Sequence, residues 1–281
     1  MTEQAPPGVD PTIPSVARMY DYYLDGKANF PADRAAADRI IQLAPDAREQ
    51  ARRNREFLGR VVRHLRGQGV TQFLDVGAGL PTQENVHQVA GAGARVVYVD
   101  NDPTVLAHAR ALLDREGALP GREGAPREGA APGREEAASD VVVMEGDLRD
   151  PAAILDAAPL DFTRPVAILL VAVLHFVPDD DETLAIVSEF RSRLKPGGHL
   201  VVSHIYAGDH TEETVREGAA VYSTTATGSL TGRDPERIAR YFEGMELLEP
   251  GIVPVEAWRP AVPVEVDLVK PGILGAVGIV G

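Results

Sequence analysis

Three carboxylates stand at the ends of apolar runs, each just before a turn. That pattern suits a site for a polar small molecule. The first lies in Phe73-Leu74-Asp75-Val76-Gly77-Ala78-Gly79. Glycine lets the backbone turn sharply and approach a ligand closely, although the same residues alone also serve simply to make and stabilise a turn. The second is Asp100, which closes Val96-Val97-Tyr98-Val99, 21 residues past Gly79. This spacing suits a carboxylate that accepts both ribose hydroxyls of a nucleoside. The third lies in Glu145-Gly146-Asp147-Leu148-Arg149-Asp150. Asp147 there can accept from an adenine amino group, while Asp150, just before Pro151, reads as a helix cap.

A nicotinamide dinucleotide site shares the first two features. Here the turn continues Leu80-Pro81-Thr82, without the third glycine that packs around a pyrophosphate. Two histidines, His175 after the fourth apolar run and His204 near the end of the fifth, stand where substrates meet this kind of sheet. Both are candidate general bases, and both also read as satisfied structural histidines. No His-Glu-x-x-His pattern suggests a metal. The acids Asp179 to Glu182 read as the favourable start of a helix.

The elements that must hold these residues alternate regularly. Strands are expected over 72–76, 95–99, 141–144, 166–174 and 199–205, with helices over 82–90, from Asp102-Pro103, from Pro151 and over 181–194. Such alternation means a parallel sheet covered on both faces. The expected fold is α/β and Rossmann-like: a mostly parallel seven-stranded sheet with helices on both faces, plus an N-terminal helical extension. That extension, 15–66, holds helices over 32–43 and 45–66. Leu58, Val61, Val62 and Leu65 recur on one face of the second. Its aromatic group, Tyr20, Tyr22, Tyr23 and Phe30, can act as a lid or simply pack on the core. Residues 234–242 read as a capped helix and 245–258 as a closing antiparallel hairpin. Residues 67–270 form the main domain, 1–14 a disordered start, 117–138 a flexible low-complexity insertion, and 271–281 an apolar tail with no assigned element.

The chain has 281 residues, of which 28 are basic and 42 acidic, for a net charge of −14. So acidic a chain repels phosphate backbones, which argues against nucleic acid as a partner. The arginine-rich stretch from Arg48 to Arg66 reads as the solvated face of a helix. The absence of cysteine excludes disulfides and a thiolate nucleophile. With no apolar run of about 18 residues and no secretory pattern, a cytoplasmic protein is expected.

Taken with Leu194-Lys195-Pro196-Gly197-Gly198 before the fifth strand, the motifs over 72–205 resemble class I S-adenosylmethionine (SAM) dependent methyltransferases. A closer likeness is to a bacterial, actinomycete-type methyltransferase family of unassigned substrate. It rests on Ser15-Val16-Ala17-Arg18-Met19-Tyr20-Asp21-Tyr22-Tyr23-Leu24-Asp25-Gly26-Lys27, on 75–82, on 146–151 and on Val173-Leu174-His175-Phe176-Val177. The resemblance implies SAM as cofactor. Gly77 and Gly79 would pass its methionine part, Asp75 would sit near the amino group, Asp100 would hold the ribose and Asp147 the adenine. Ala78, Asn101, Leu148 and Tyr20 would complete the contacts. The family's substrate is unassigned, and a small-molecule methyl acceptor is the expectation here. Leu170-Val171-Ala172-Val173 replaces the Asn-Pro-Pro-Tyr type motif of enzymes that methylate base amines. A SAM-binding regulator without turnover and an NAD(P)-dependent oxidoreductase are the competing readings. Oligomeric state has no signal in the sequence.

Overall fold

The computed structural model describes residues 9–82, 84–116 and 140–281. The expected insertion over 117–138 and the first eight residues lie outside them. Three helices come first: α1 (Val16–Tyr23), α2 (Pro31–Leu43) and α3 (Ala47–Gly67). Then follow β1 (Gln72–Val76), α4 (Val86–Ala90), β2 (Arg95–Asp100), α5 (Pro103–Glu116), β3 (Asp140–Glu145), α6 (Pro151–Ala157), β4 (Ala167–Val171), α7 (Asp180–Ser192) and β5 (His199–Tyr206). The last part holds α8 (Glu212–Tyr222), α9 (Pro235–Ala239), β6 (Glu246–Leu247), β7 (Val253–Pro254) and β8 (Gly272–Ile279).

These strands make one eight-stranded sheet in the order β3-β2-β1-β4-β5-β8-β6, with β7 also paired to β8. β1 to β5 run parallel; β8 is antiparallel to β5 along its whole length, from Tyr206 opposite Gly272 to His199 opposite Ile279. Strand order reverses between β1 and β4, and the crevice at their carboxyl ends is where open α/β sheets bind ligands.

Period-two alternation supplies the core. Leu74, Val97, Val99, Ile168, Leu170, Leu200 and Val202 pack on one face, while Phe73, Val96, Tyr98, Leu169 and Val201 pack on the other. Fully burying such a side chain contributes about 1.5–3 kcal/mol. The second face is covered largely by α3, whose Phe57, Leu58, Val61, Val62 and Leu65 join that cluster. A third cluster ties α1, α2 and α3 to α8 through Met19, Tyr23, Ile40, Ala51 and Tyr222.

Several outcomes depart from the sequence reading. Among the described residues the sheet has eight strands, against the seven expected. Residues 245–258 give two short strands that pair with β8, not with each other. The apolar final segment is the central antiparallel strand β8. Its glycines admit neighbours: a Cβ on Gly275 would come within 2.8 Å of the Phe57 ring. The helix expected over 82–90 begins only at Val86: the Gln88 side chain accepts from the Asn85 amide at 2.9 Å, while Asn85 Oδ1 turns back to accept from the Thr82 amide at 3.1 Å and closes a turn before the helix. α8 has no counterpart in the sequence reading. Thr211 accepts from the Thr214 amide and Glu212 and Glu213 fill its first turn, a start signal in an otherwise weakly apolar stretch.

Candidate active site

The site is built on the turn after β1. Gly77 and Gly79 have φ of 70° and 67°, a region that favours glycine. A Cβ on Gly77 would lie 2.5 Å from Val173 Cγ2, so the turn also has no room for a side chain there. The Gly77 and Ala78 amides donate to the Val99 carbonyl at 2.8 and 3.1 Å, which ties this turn to the end of β2. There Asp100 accepts from the Gly79 amide and the Asp102 amide, both at 2.9 Å. One carboxylate thus fixes two loops at the switch point.

Beneath them lies a cavity of about 680 Å3, within the roughly 300–1,000 Å3 of small-molecule sites. Asp75, Gly77, Ala78, Gly79, Asp100, Asn101, Asp147, Leu148, Tyr20 and His175 all line it. Those sequence-predicted residues are therefore brought together. Asp75 is buried and accepts no hydrogen bond among the described residues; burial pushes its carboxyl up to about 7, against the pull of the nearby Arg55 charge. Burial also raises Asp100, to about 6, opposed by its amide donors. Asp147 is exposed, its Oδ1 accepting from the Arg149 amide at 2.9 Å. Asp150 instead caps α6 through the Ala153 amide.

The histidines separate. His204 is fully buried and is not part of the cavity wall. Its Nδ1 donates to the Ile205 carbonyl at 2.9 Å and its Nε2 accepts from Arg233 at 3.0 Å. Burial depresses its pKa to about 4. As a candidate base His204 is therefore corrected: both ring nitrogens are engaged, in a structural network. Arg233, almost without exposure, gives its other nitrogens to Asp180 (2.8 Å), the Val177 carbonyl (2.9 Å) and Thr183 (3.0 Å). His175 does face the cavity. Its Nδ1 accepts from the Ile205 amide at 3.4 Å, which puts its proton on Nε2, and burial pushes its pKa well down.

The N-terminal helices close the cavity. The Tyr20 hydroxyl donates to the Ala51 carbonyl and accepts from Asn54, both at 3.0 Å, which locks its ring on the wall. Tyr22 and Phe30 do not line the cavity. Ser15 donates to Asp102 at 2.6 Å, and Arg18 pairs with the fully buried Asp33 at 2.8 Å. This chain of contacts fastens the extension to the loop that Asp100 organises. Asp21, with Gly26 and Asn29, serves a local turn: its Oδ2 accepts from Ala28 and Asn29 at 2.9 and 2.8 Å.

Among the wall residues that sequence reasoning missed are Arg55 on α3 and His210 beyond β5. The carboxyl-end rule was signal enough for His210. Among the described residues no group of three His, Asp or Glu side chains is placed to hold a metal.

A glycine turn, two buried acids at adjacent strand ends and a roofed crevice at the switch point define a nucleoside-binding α/β protein. A family model described as S-adenosyl methyltransferase matches residues 2–120 and 131–280, and the chain belongs to that family. It is a SAM-dependent methyltransferase. A candidate methyltransferase from Thermobifida fusca YX is 37% identical over 99% of both chains, with a TM-score of 0.83. A DUF574 family protein from Streptomyces avermitilis is 34% identical over 96% of this chain and 98% of its own, with a TM-score of 0.80. No curated protein matches. The site fits the cofactor: beside Gly79, on the cavity wall, no atom lies within 4 Å of where a Cβ would stand, which leaves the backbone open to a ligand, and among the described residues the buried Asp75 carboxyl has no hydrogen-bond donor.

Proposed function

We propose that this enzyme methylates a small, largely apolar and uncharged acceptor in the cytoplasm, within the half of the cavity roofed by α1 and α8. The observation that carries this reading is the composition of that half. Val16, Tyr23, Phe176, Val215, Tyr222 and Leu230 line it; the charged side chains near them are engaged, Arg149 by the Phe176 carbonyl and Glu182, Asp21 by its own turn and Arg18 by Asp33, which leaves His210 on the loop between β5 and α8. A charged acceptor would be desolvated there without a partner. Among the described residues no helix is long and apolar enough to cross a membrane.

SAM supplies an electrophilic methyl group for in-line displacement, so the protein's work is alignment and exclusion of water. Asp100 and Asn101 would hold the ribose, Asp147 and Leu148 the adenine edge, and Asp75 the methionine ammonium, with Ala78 and Tyr20 closing over the chain. His175, with its proton on Nε2, would donate to an acceptor oxygen or nitrogen and so orient it. His210 has no hydrogen bond to its ring among the described residues, and it would take the proton an alcohol or phenol must lose.

The test is incubation with methyl-labelled SAM and fractionated extracts of small metabolites. The reading expects S-adenosylhomocysteine (SAH) to form only when an extract is present, with label recovered in an organic-soluble product. Label recovered only in charged, water-soluble products would contradict the acceptor class.

A further inference from the structure

We infer that Arg55 is the carboxylate anchor of the cofactor site, so that the N-terminal helix α3 is part of the SAM-binding machinery as well as the roof. This inference rests on the assignment of SAM to this cavity. Arg55 lines both the main cavity and the small crevice behind the glycine turn, together with Asp75, Gly79 and Asp100. Its Nε is buried and has no hydrogen-bond partner, and no ion pair holds the guanidinium among the described residues.

The other arginines on the wall are engaged. Arg18 is paired with Asp33 at 2.8 Å and donates to the Ile13 carbonyl at 2.7 Å. Arg149 donates to the Phe176 carbonyl and lies 3.4 Å from Glu182. Next to Arg55 on α3, Asn54 is 1% exposed and its Oδ1 also lacks a partner.

Arg55 is partly buried, and a donor such as its Nε that lacks an acceptor costs free energy, so a guanidinium on the cavity wall with no ion pair is poised for an anionic ligand. Here it stands across one cavity from a buried acid, Asp75, that it does not pair with, and beside an unsatisfied amide oxygen. That arrangement is complementary to a zwitterion. A carboxylate meets the guanidinium fork, which can bind it bidentately, and an ammonium donates to Asp75. The methionine end of SAM carries both groups on one carbon. Arg55 also lowers the Asp75 carboxyl pKa electrostatically, which keeps it closer to the ionised form that an ammonium needs.

The test is a double-mutant cycle by calorimetry. Wild-type protein and Arg55→Met are each titrated with SAH and with its decarboxylated analogue, which keeps the amine and loses only the carboxylate. In the wild type, removing the carboxylate should weaken binding about 10- to 100-fold. Arg55→Met should weaken SAH by a similar factor and bind the analogue as the wild type does. Arg55→Lys should recover part of the SAH affinity, because it keeps the charge and loses the fork. Thermal melting of each variant reports on folding. The inference is overturned if Arg55→Met weakens both ligands equally, as a structural role would, or neither. Wild-type protein that binds neither ligand would overturn the cofactor assignment and this inference with it.

Discussion

Asp75 and Asp100 stand at the ends of β1 and β2, beside the same turn, and do different work. Asp100 is spent partly on the protein, through the Gly79 and Asp102 amides, so removing it loosens the loop and deletes the proposed ribose acceptor together. Asp100→Ala should weaken SAH binding by about 10- to 100-fold, the loss of one or two charge-assisted hydrogen bonds. Asp100→Asn, which can still accept, should lose less; equal affinities for all three proteins by calorimetry would remove the ribose role. Asp75 makes a pH prediction. Its folded pKa of about 7 lies above the ordinary 3.8, so between these values the folded protein holds a proton that the unfolded chain has lost. Stability of the ligand-free protein should therefore fall as pH rises from about 4 to 7. Affinity should move the other way. An ammonium binds the ionised carboxylate, so SAH should bind more tightly as pH rises through about 7 and then level off, with proton release on binding below that pH. Asp75→Asn should flatten this profile, and a mutant profile as steep as that of the wild type would assign the titration elsewhere. Both acids were legible because each closes an apolar strand run just before a turn, Asp75 ahead of Gly77 and Asp100 ahead of Asn101-Asp102-Pro103. Arg55 was not, because it is one of many arginines on an amphipathic helix, and only the packed structure decides which of them turns inward.

The glycine turn and α8 carry the predictions at the level of elements. Gly77→Ala adds a Cβ within 2.5 Å of Val173 at a positive φ. It should destabilise the fold by about 1–3 kcal/mol and weaken SAH, measured by denaturant melts and calorimetry. Unchanged melts and affinity would mean that the turn is not under constraint. Gly218, midway along α8, has open space beside it and lines the cavity. Gly218→Trp should therefore stop turnover while SAH affinity persists, and full turnover would place the acceptor elsewhere. Strands β1 to β5 could be read from alternation and strand-end turns. α8 could not be read so directly, since its sequence has few apolar residues and its burial depends on helices nearly 200 positions away, as in the Tyr23 and Tyr222 hydroxyls 3.4 Å apart.

For the molecule as a whole, the two ends of the chain complete the site. α3 covers one face of the sheet, Ser15 and Arg18 reach the loop at Asp102, and β8 from the far C-terminus lies between β5 and the short strands β6 and β7. The C-terminal residues 272–281 were opaque in sequence because glycine at every third position among apolar residues fits neither the period of two of a strand nor the 3.6 of a helix. They pair only once β5 exists and Phe57 packs against Gly275. Removing them should abolish cooperative unfolding of the whole chain, and a truncated protein that still melts cooperatively would contradict this integration. The central claim is that these parts together make a SAM site. Calorimetric titration of the purified chain with SAM, with NAD as control, tests it most directly. Saturable SAM binding in the micromolar range or tighter, with no NAD binding, is the predicted result; a folded protein that binds NAD, or binds neither, would contradict it.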